Sequence, residues 1–295
     1  MNLRVFSYAL IMSLVAGCSS PAGQGSTSSV PPLTADEIND AQVSLTTLTG
    51  GAPLTYQLTD GTYQKGTDPA GASFVSIRLL DQMGFGDLNG DGAGDAAALV
   101  AENYGGSGTF VSLVVFVNQK GVPVQKAVTP VDDRPIIRAL TLENGSIGLE
   151  ATIHGLQDPM CCPTLQSRRH YRLVDEQLIL RDFSTQAPAG GWRSITVTQP
   201  EDGEFGGAGL KISGTVTSAP FENTLSYHVV DKAGNELAVG PFTVAALDMG
   251  APGTFEVEVP LDHVAAGTRA WIEIRDLSAA DGSLLAMDSV EVVKK

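Results

Sequence analysis

Apolar and polar positions alternate most cleanly in the C-terminal third of the chain. In "TFEVEV", Phe255, Val257 and Val259 fall on one side and Glu256 and Glu258 on the other; in "TLSYHVV", Leu225, Tyr227 and Val229 share one side. A period of two is that of a strand with one buried and one wet face. The same texture predicts strands at 195–198, 210–216, 224–230, 240–245, 253–259, 270–275 and 290–293. Seven short strands in about 100 residues predict a β-sandwich of immunoglobulin-like type. No cysteine lies in this stretch, so packing alone must hold the sheets.

Upstream, apolar runs at 74–80, 96–101, 110–118, 136–142, 147–153, 170–174 and 177–183 predict further strands. "NQKG", "ENG" and "VDEQ" between them read as turns, which makes the pairing local and antiparallel. Before these, "TADE" fits a capping box with Thr34 as N-cap and Glu37 three residues on. Ile38, Ala41, Val43 and Leu45 follow with imperfect helical spacing, predicting one short helix that ends before Gly50. The fold class expected is mainly β. A β-rich (α+β) domain occupies 34–186, "STQAPAGGW" supplies a linker at 187–194, and an immunoglobulin-like sandwich follows at 195–295.

The N-terminal end carries an address. Arg4 precedes an apolar stretch from Val5 to Val15, which is too short to span a bilayer and reads as a secretory signal over 1–17. It ends in "LVAGC", Leu14 to Cys18, which resembles the lipobox of bacterial lipoproteins. That resemblance implies a diacylglycerol on the Cys18 sulfur and attachment to the extracytoplasmic face of the cell membrane. An ordinary signal peptide that contains a cysteine is the alternative. Residues 18–33 have almost no large apolar side chain and are expected to form a flexible tether.

Charge narrows the partners. Lys and Arg total 18 against 33 Asp and Glu, a net charge of −15, and removal of residues 1–17 would take Arg4 and no acid. A nucleic-acid binder needs a basic face, and the only basic knot is Arg168–His170. No nucleic-acid partner is expected. The acidity suits cations.

"GDLNGDGAGD" gives that statement a place. Counting Asp87 as position one, side-chain oxygens recur at Asp87, Asn89, Asp91 and Asp95, Gly92 allows the sharp turn, and Ala93 offers a carbonyl. Calcium takes six to eight oxygens at roughly 2.3–2.6 Å, which this loop with one or two waters would supply. Position twelve is Ala98 where an EF-hand has Glu, and "AAALV" reads as a strand. The pattern is more similar to the calcium loops of integrin-type propeller blades, although a single copy does not make a propeller. Ca²⁺ is the expected cofactor, in a structural role. A Gly/Asp-rich turn that binds nothing is the alternative.

With Cys18 given to lipid, Cys161 and Cys162 remain, adjacent, in "DPMCCPT". In an oxidising compartment they are expected to join each other. Such a ring is a rigid staple, a recognition knuckle or a redox-labile switch. A zinc or copper site from His154, Cys161, Cys162 and His170 has spacings unlike the usual chelating ones. "YGGSGTF" fails as a nucleophile elbow because Thr109 stands where glycine is needed. Glu102, Glu150 and Asp182 read as solvated surface acids. Trp192 is a candidate for stacking on sugars, and Trp271 in "AWIEI" reads as sandwich core.

"ITVTQPEDG", "LKISGTV", "FENTLSYHVVDKAGNEL" and "GAPGTFEVEV" together resemble the immunoglobulin-like domain associated with bacterial spore-germination proteins. The resemblance covers about 195–293, implies an extracytoplasmic binding or spacer module, and brings no catalytic residues. Residues 74–183 more loosely resemble an uncharacterised domain of bacterial lipoproteins with a "GDLNGDG" loop, without an activity attached. The expected function is therefore a membrane-anchored, calcium-stabilised binding or scaffolding lipoprotein whose partner is a protein or cell-wall glycan. The alternative is an envelope hydrolase with a site near Asp87–Asp95 and Ser107.

Overall fold

The computed structural model describes residues 30–46, 52–71, 73–188 and 190–295. The signal at 1–17 and the lipidation residue Cys18 lie outside the described residues.

Thr34 and Glu37 start the one α-helix among the described residues, α1 (Ala35–Asn39): the Glu37 carboxylate accepts the Thr34 N–H at 2.7 Å. The helix stops there. Val43 and Leu45, expected to continue it, belong instead to β1 (Gln42–Leu45), which pairs antiparallel with β2 (Leu54–Gln57). Both side chains are fully buried, so the sheet gives these residues the burial that a longer helix would have had to find.

A five-stranded antiparallel meander follows: β3 (Thr62–Lys65), β4 (Val75–Gly86), β5 (Asp95–Asn103), β6 (Phe110–Gln119) and β7 (Val122–Asp133). Its central strands read "DAAALVAEN" and "FVSLVVFVNQ" and are buried almost without interruption. Such runs need cover on both faces. On one face Val100, Val114 and Phe116 pack with Ile38, Val43, Leu45 and Leu58 from α1 and the β1–β2 region. On the other, Leu99, Leu113 and Val115 pack with Ile147, Leu149 and Tyr171 from the next layer.

That layer is long. β8 (Ile136–Glu143), β9 (Ser146–Ile153), β10 (Leu165–Val174) and β11 (Gln177–Gln186) form one end, and the short β12 (Trp192–Arg193) folds back onto β11. Next come β13 (Ile195–Gln199), β14 (Gly203–Phe205), β15 (Gly209–Val216), β16 (Thr224–Asp231), β17 (Glu236–Thr243), β18 (Ala245–Ala246), β19 (Gly253–Pro260), β20 (Arg269–Leu277) and β21 (Leu284–Lys294). Strands β13-β15-β19-β18 make a four-stranded sheet. Facing it are β17-β16-β20-β21, and the alternation of Phe255, Val257 and Val259 points into the core between them.

The facing strands do not end at β21. Asp182, Phe183 and Ser184 of β11 pair with Asp288, Met287 and Ala286, so a ten-stranded sheet runs from β17 to β8. Its two ends use opposite faces. Ala286 joins the C-terminal core, whereas Leu178 and Leu180 pack on the N-terminal one. At the junction the Ala187 N–H donates to the Gly191 carbonyl at 3.0 Å, and β12 follows. The whole architecture is mainly β, with an immunoglobulin-like sandwich at the C-terminal end.

Candidate functional site

The loop between β4 and β5 folds through its own side chains. The Asp87 carboxylate accepts the N–H groups of Gly90 and Gly92 at 2.7 and 2.9 Å. Asn89 Oδ1 accepts from Asp91 N–H at 2.9 Å, and Asp91 Oδ1 accepts from Ala93 N–H at 2.7 Å. Asp95 is fully buried and accepts from Leu88 and Asn118 N–H at 2.9 and 2.8 Å. Gly90 and Gly92 take left-handed φ values of 80° and 83°. The segment before α1 is seated on this loop: Asn118 Nδ2 donates to the carbonyls of Pro31 and Gly94, and Leu33 N–H also donates to Gly94.

Burial raises the Asp95 pKa, two backbone N–H groups oppose that, and Asp91 and Asp87 push it further up as like charges. Three carboxylates thus share one loop without a basic side chain bonded to any of them. Among the described residues, no three His, Cys, Asp or Glu side chains converge in a metal-holding group. The donor set is nonetheless all oxygen, and a carboxylate oxygen that accepts one N–H retains a second lone pair. The donors fit a hard cation such as Ca²⁺.

Cys161 and Cys162 are joined to each other, with Cα atoms 3.8 Å apart, at the tip of the β9–β10 loop. Asp158 clamps the base of the loop, taking Gly155 and Thr164 N–H at 2.8 and 2.6 Å and the Thr164 hydroxyl at 2.8 Å. His154 lies just past β9 and ties the loop to the body. Its Nδ1 is 3.0 Å from the Asp132 carboxylate and its Nε2 is 3.2 Å from the Met160 carbonyl. Burial opposes its charge, but Asp132 outweighs burial and raises the His154 pKa. Both cysteines are exposed, as are Met160 at 69% and Leu156 at 58%. His170 is elsewhere, 2.8 Å from Asp182, so His154, the cysteines and His170 do not form one site.

The residues of the hydrolase alternative are not brought together. Ser107 sits in the glycine turn between β5 and β6, with no histidine or acid bonded to it among the described residues. Glu150 pairs with Arg168 and Asp182 with His170. Glu102, expected on the surface, is buried. The expected strand at 96–101 stops one residue before it, whereas β5 runs on through Asn103. Trp192 carries the Arg168 guanidinium 3.9 Å from its ring centroid. Trp271 is buried but faces away from the immunoglobulin-like core and lines a cleft with Lys126, Leu178 and Glu273. The core positions beside it are Ala270 and Ile272.

A serine, histidine and acid do line up where sequence reasoning did not look. Ser226 Oγ lies 3.0 Å from His228 Nε2, and His228 Nδ1 lies 2.5 Å from Glu236. Ser226 is mid-strand, paired with β17 on one side and β20 on the other. Its local backbone is spent in ladders, whereas acyl transfer needs free donors aimed at the developing oxyanion. The trio reads as a polar brace on the sheet.

No curated protein matches the chain. Residues 194–283 match the family described as the immunoglobulin-like domain of bacterial spore germination, which is the part of the chain folded as the C-terminal sandwich.

Proposed function

We propose that this chain is a lipid-anchored extracytoplasmic binding and scaffolding protein, held to the cell membrane through Cys18 and clipped by Ca²⁺ at Asp87–Asp95. The observation that carries the binding reading is the immunoglobulin-like match over 194–283. The shared β11–β21 ladder adds to it, because one continuous sheet makes the two sandwiches a single platform. Support for the anchor is the "LVAGC" stretch before a Ser/Gly/Pro-rich segment. Support for the clip is the oxygen set of Asp87, Asn89, Asp91, the Ala93 carbonyl and Asp95, with three mutually repelling carboxylates that a divalent cation would neutralise. The cation's role is to lock the β4–β5 turn and the segment seated on it. The partner is a protein or cell-wall glycan.

Thermal melting in millimolar calcium and in chelator tests the clip. Calcium is expected to raise the midpoint of the wild-type protein by several degrees and to leave Asp91→Ala unmoved. Equal midpoints for the wild type with calcium and with chelator remove the cation. Mass spectrometry of the membrane fraction tests the anchor: a diacylglycerol is expected on Cys18, and a soluble, unacylated protein would refute it.

A further inference from the structure

Among the described residues, the cover provided by α1 and the β1–β2 pair stops short of one end of the five-stranded sheet. There, beside Thr46, a cavity of about 520 Å³ opens on the sheet. Small-molecule sites run from roughly 300 to 1,000 Å³. Phe110, Val128 and Pro130 line the wall, which also runs along Val111 and Val131, whose side chains belong to the core on the other face, and Glu102 and Ser112 contribute the polar atoms.

Glu102 is 3% exposed. The Tyr104 hydroxyl donates to one of its oxygens at 2.6 Å and the Ser112 hydroxyl to the other at 3.2 Å. The other buried acids are compensated differently. Asp95 accepts two backbone N–H groups, Asp133 pairs with Arg134, and Asp276 faces Arg193 at 3.6 Å. Among the described residues Glu102 alone of these has neither a backbone N–H nor a cation. A buried carboxylate without a counter-charge costs several kcal/mol, which a glutamine, accepting from one hydroxyl and donating to the other, would avoid. At the rim, Asp132 is matched by His154 and Asp133 by Arg134. The cavity therefore presents mostly hydrocarbon walls and, at its floor, a buried acid with no cation beside it, whose pKa burial raises and the two hydroxyls pull back down.

We propose that this cavity binds an organic ammonium ion, its head at Glu102 and its hydrocarbon body against Val128 and Pro130. An anion would meet repulsion, and a neutral molecule of the same shape would leave the Glu102 charge unpaired. The chain's charge of −15 draws cations toward it. The proposal does not depend on the calcium clip, which lies at the other end of β5.

Titration calorimetry of the full chain at neutral pH with hexylammonium, hexanol and hexanoate separates charge from shape. Hexylammonium is expected to bind saturably at one site, hexanol about tenfold or more weakly, and hexanoate not at all. Glu102→Gln keeps both hydroxyl partners and is expected to lower hexylammonium affinity about tenfold or more, with no loss of thermal midpoint. If that variant does not fold, Val128→Trp fills the cavity from a partly exposed wall and is expected to abolish binding. The proposal is overturned if hexylammonium shows no saturable binding, if hexanol binds as tightly, or if whichever variant folds binds as the wild type does.

Discussion

Gly92 shows how much a single position fixes. Its φ of 83° lies in the left-handed region, where an L side chain costs about 1–2 kcal/mol. Gly92→Ala is expected to lose about that much stability in urea denaturation, in chelator as well as in calcium, because the cost is steric. An unchanged midpoint would mean that the turn relaxes. Asp158 is a second such position. It accepts three hydrogen bonds that close the base of the Cys161–Cys162 loop, so Asp158→Ala is expected to speed reduction of that disulfide by a phosphine severalfold while the rest of the fold melts as before. Equal reduction rates would show that the clamp does not govern access. Gly92 was legible from turn spacing; Asp158 was not, because its partners Gly155 and Thr164 are set only when the loop closes.

Among the elements, strands with clean alternation or unbroken apolar runs were legible, and those that break the pattern were not. β7 was missed because "VPVQKAVTPVDD" contains Pro123 and Pro130. It pairs only with β6, and an edge strand tolerates the missing N–H groups. Val43 and Leu45 were read as helical because single-sequence spacing does not show the partner strand that claims them. The shared ladder was invisible for the same reason: β11 and β21 lie about 100 residues apart in the chain, and nothing local announces their pairing.

The strands at that junction carry the pH dependence. Burial raises the carboxyl of Asp276 on β20 from the ordinary 3.8 to about 6, against the pull of Arg193. Burial also raises Asp288 on β21 from 3.8 to about 6, with two backbone N–H groups opposing it and Asp182 adding to it. The folded protein thus holds these protons more tightly than the unfolded chain, so stability falls as pH rises from about 4 through 6. His154 and His170 act in the same direction: both are raised above 6.5, and their contribution is lost as pH climbs past the raised values. Asp231, Asp262 and Asp281 are lowered below 3.8 by hydrogen bonds and set the acid limit, since their contribution disappears as pH falls through their folded values. The thermal midpoint is expected to peak near pH 4 and to decline toward pH 8, with a shallower decline in Asp276→Asn. A midpoint that rises from pH 5 to 8 would contradict this assignment.

Across the whole molecule, the ten-stranded sheet decides whether the chain behaves as two units or one. At the seam, Thr185 Oγ1 donates to the Leu285 carbonyl at 2.7 Å, Ser289 Oγ to the Arg181 carbonyl at 2.9 Å, and the Val197 N–H to Asp288 at 2.6 Å. Ala286 sits in the middle, fully buried, paired with β11 on one side and β20 on the other. Unfolding either sandwich would strip a partner from this seam and expose a row of unpaired backbone groups, which is costly. The full chain is therefore expected to melt in one calorimetric transition whose van't Hoff and calorimetric enthalpies agree. Ala286→Pro removes an N–H from a central strand and is expected to lower that single midpoint for probes in both halves together, including Trp192 fluorescence and the near-ultraviolet signal of the tyrosines around β2 and β3. Two wild-type transitions, or a variant in which only the C-terminal probes move, would mean that the ladder joins the sandwiches in space without coupling their stability. The platform reading of the protein would then lose its mechanical basis, because a partner bound on one sandwich would have no rigid connection to the other.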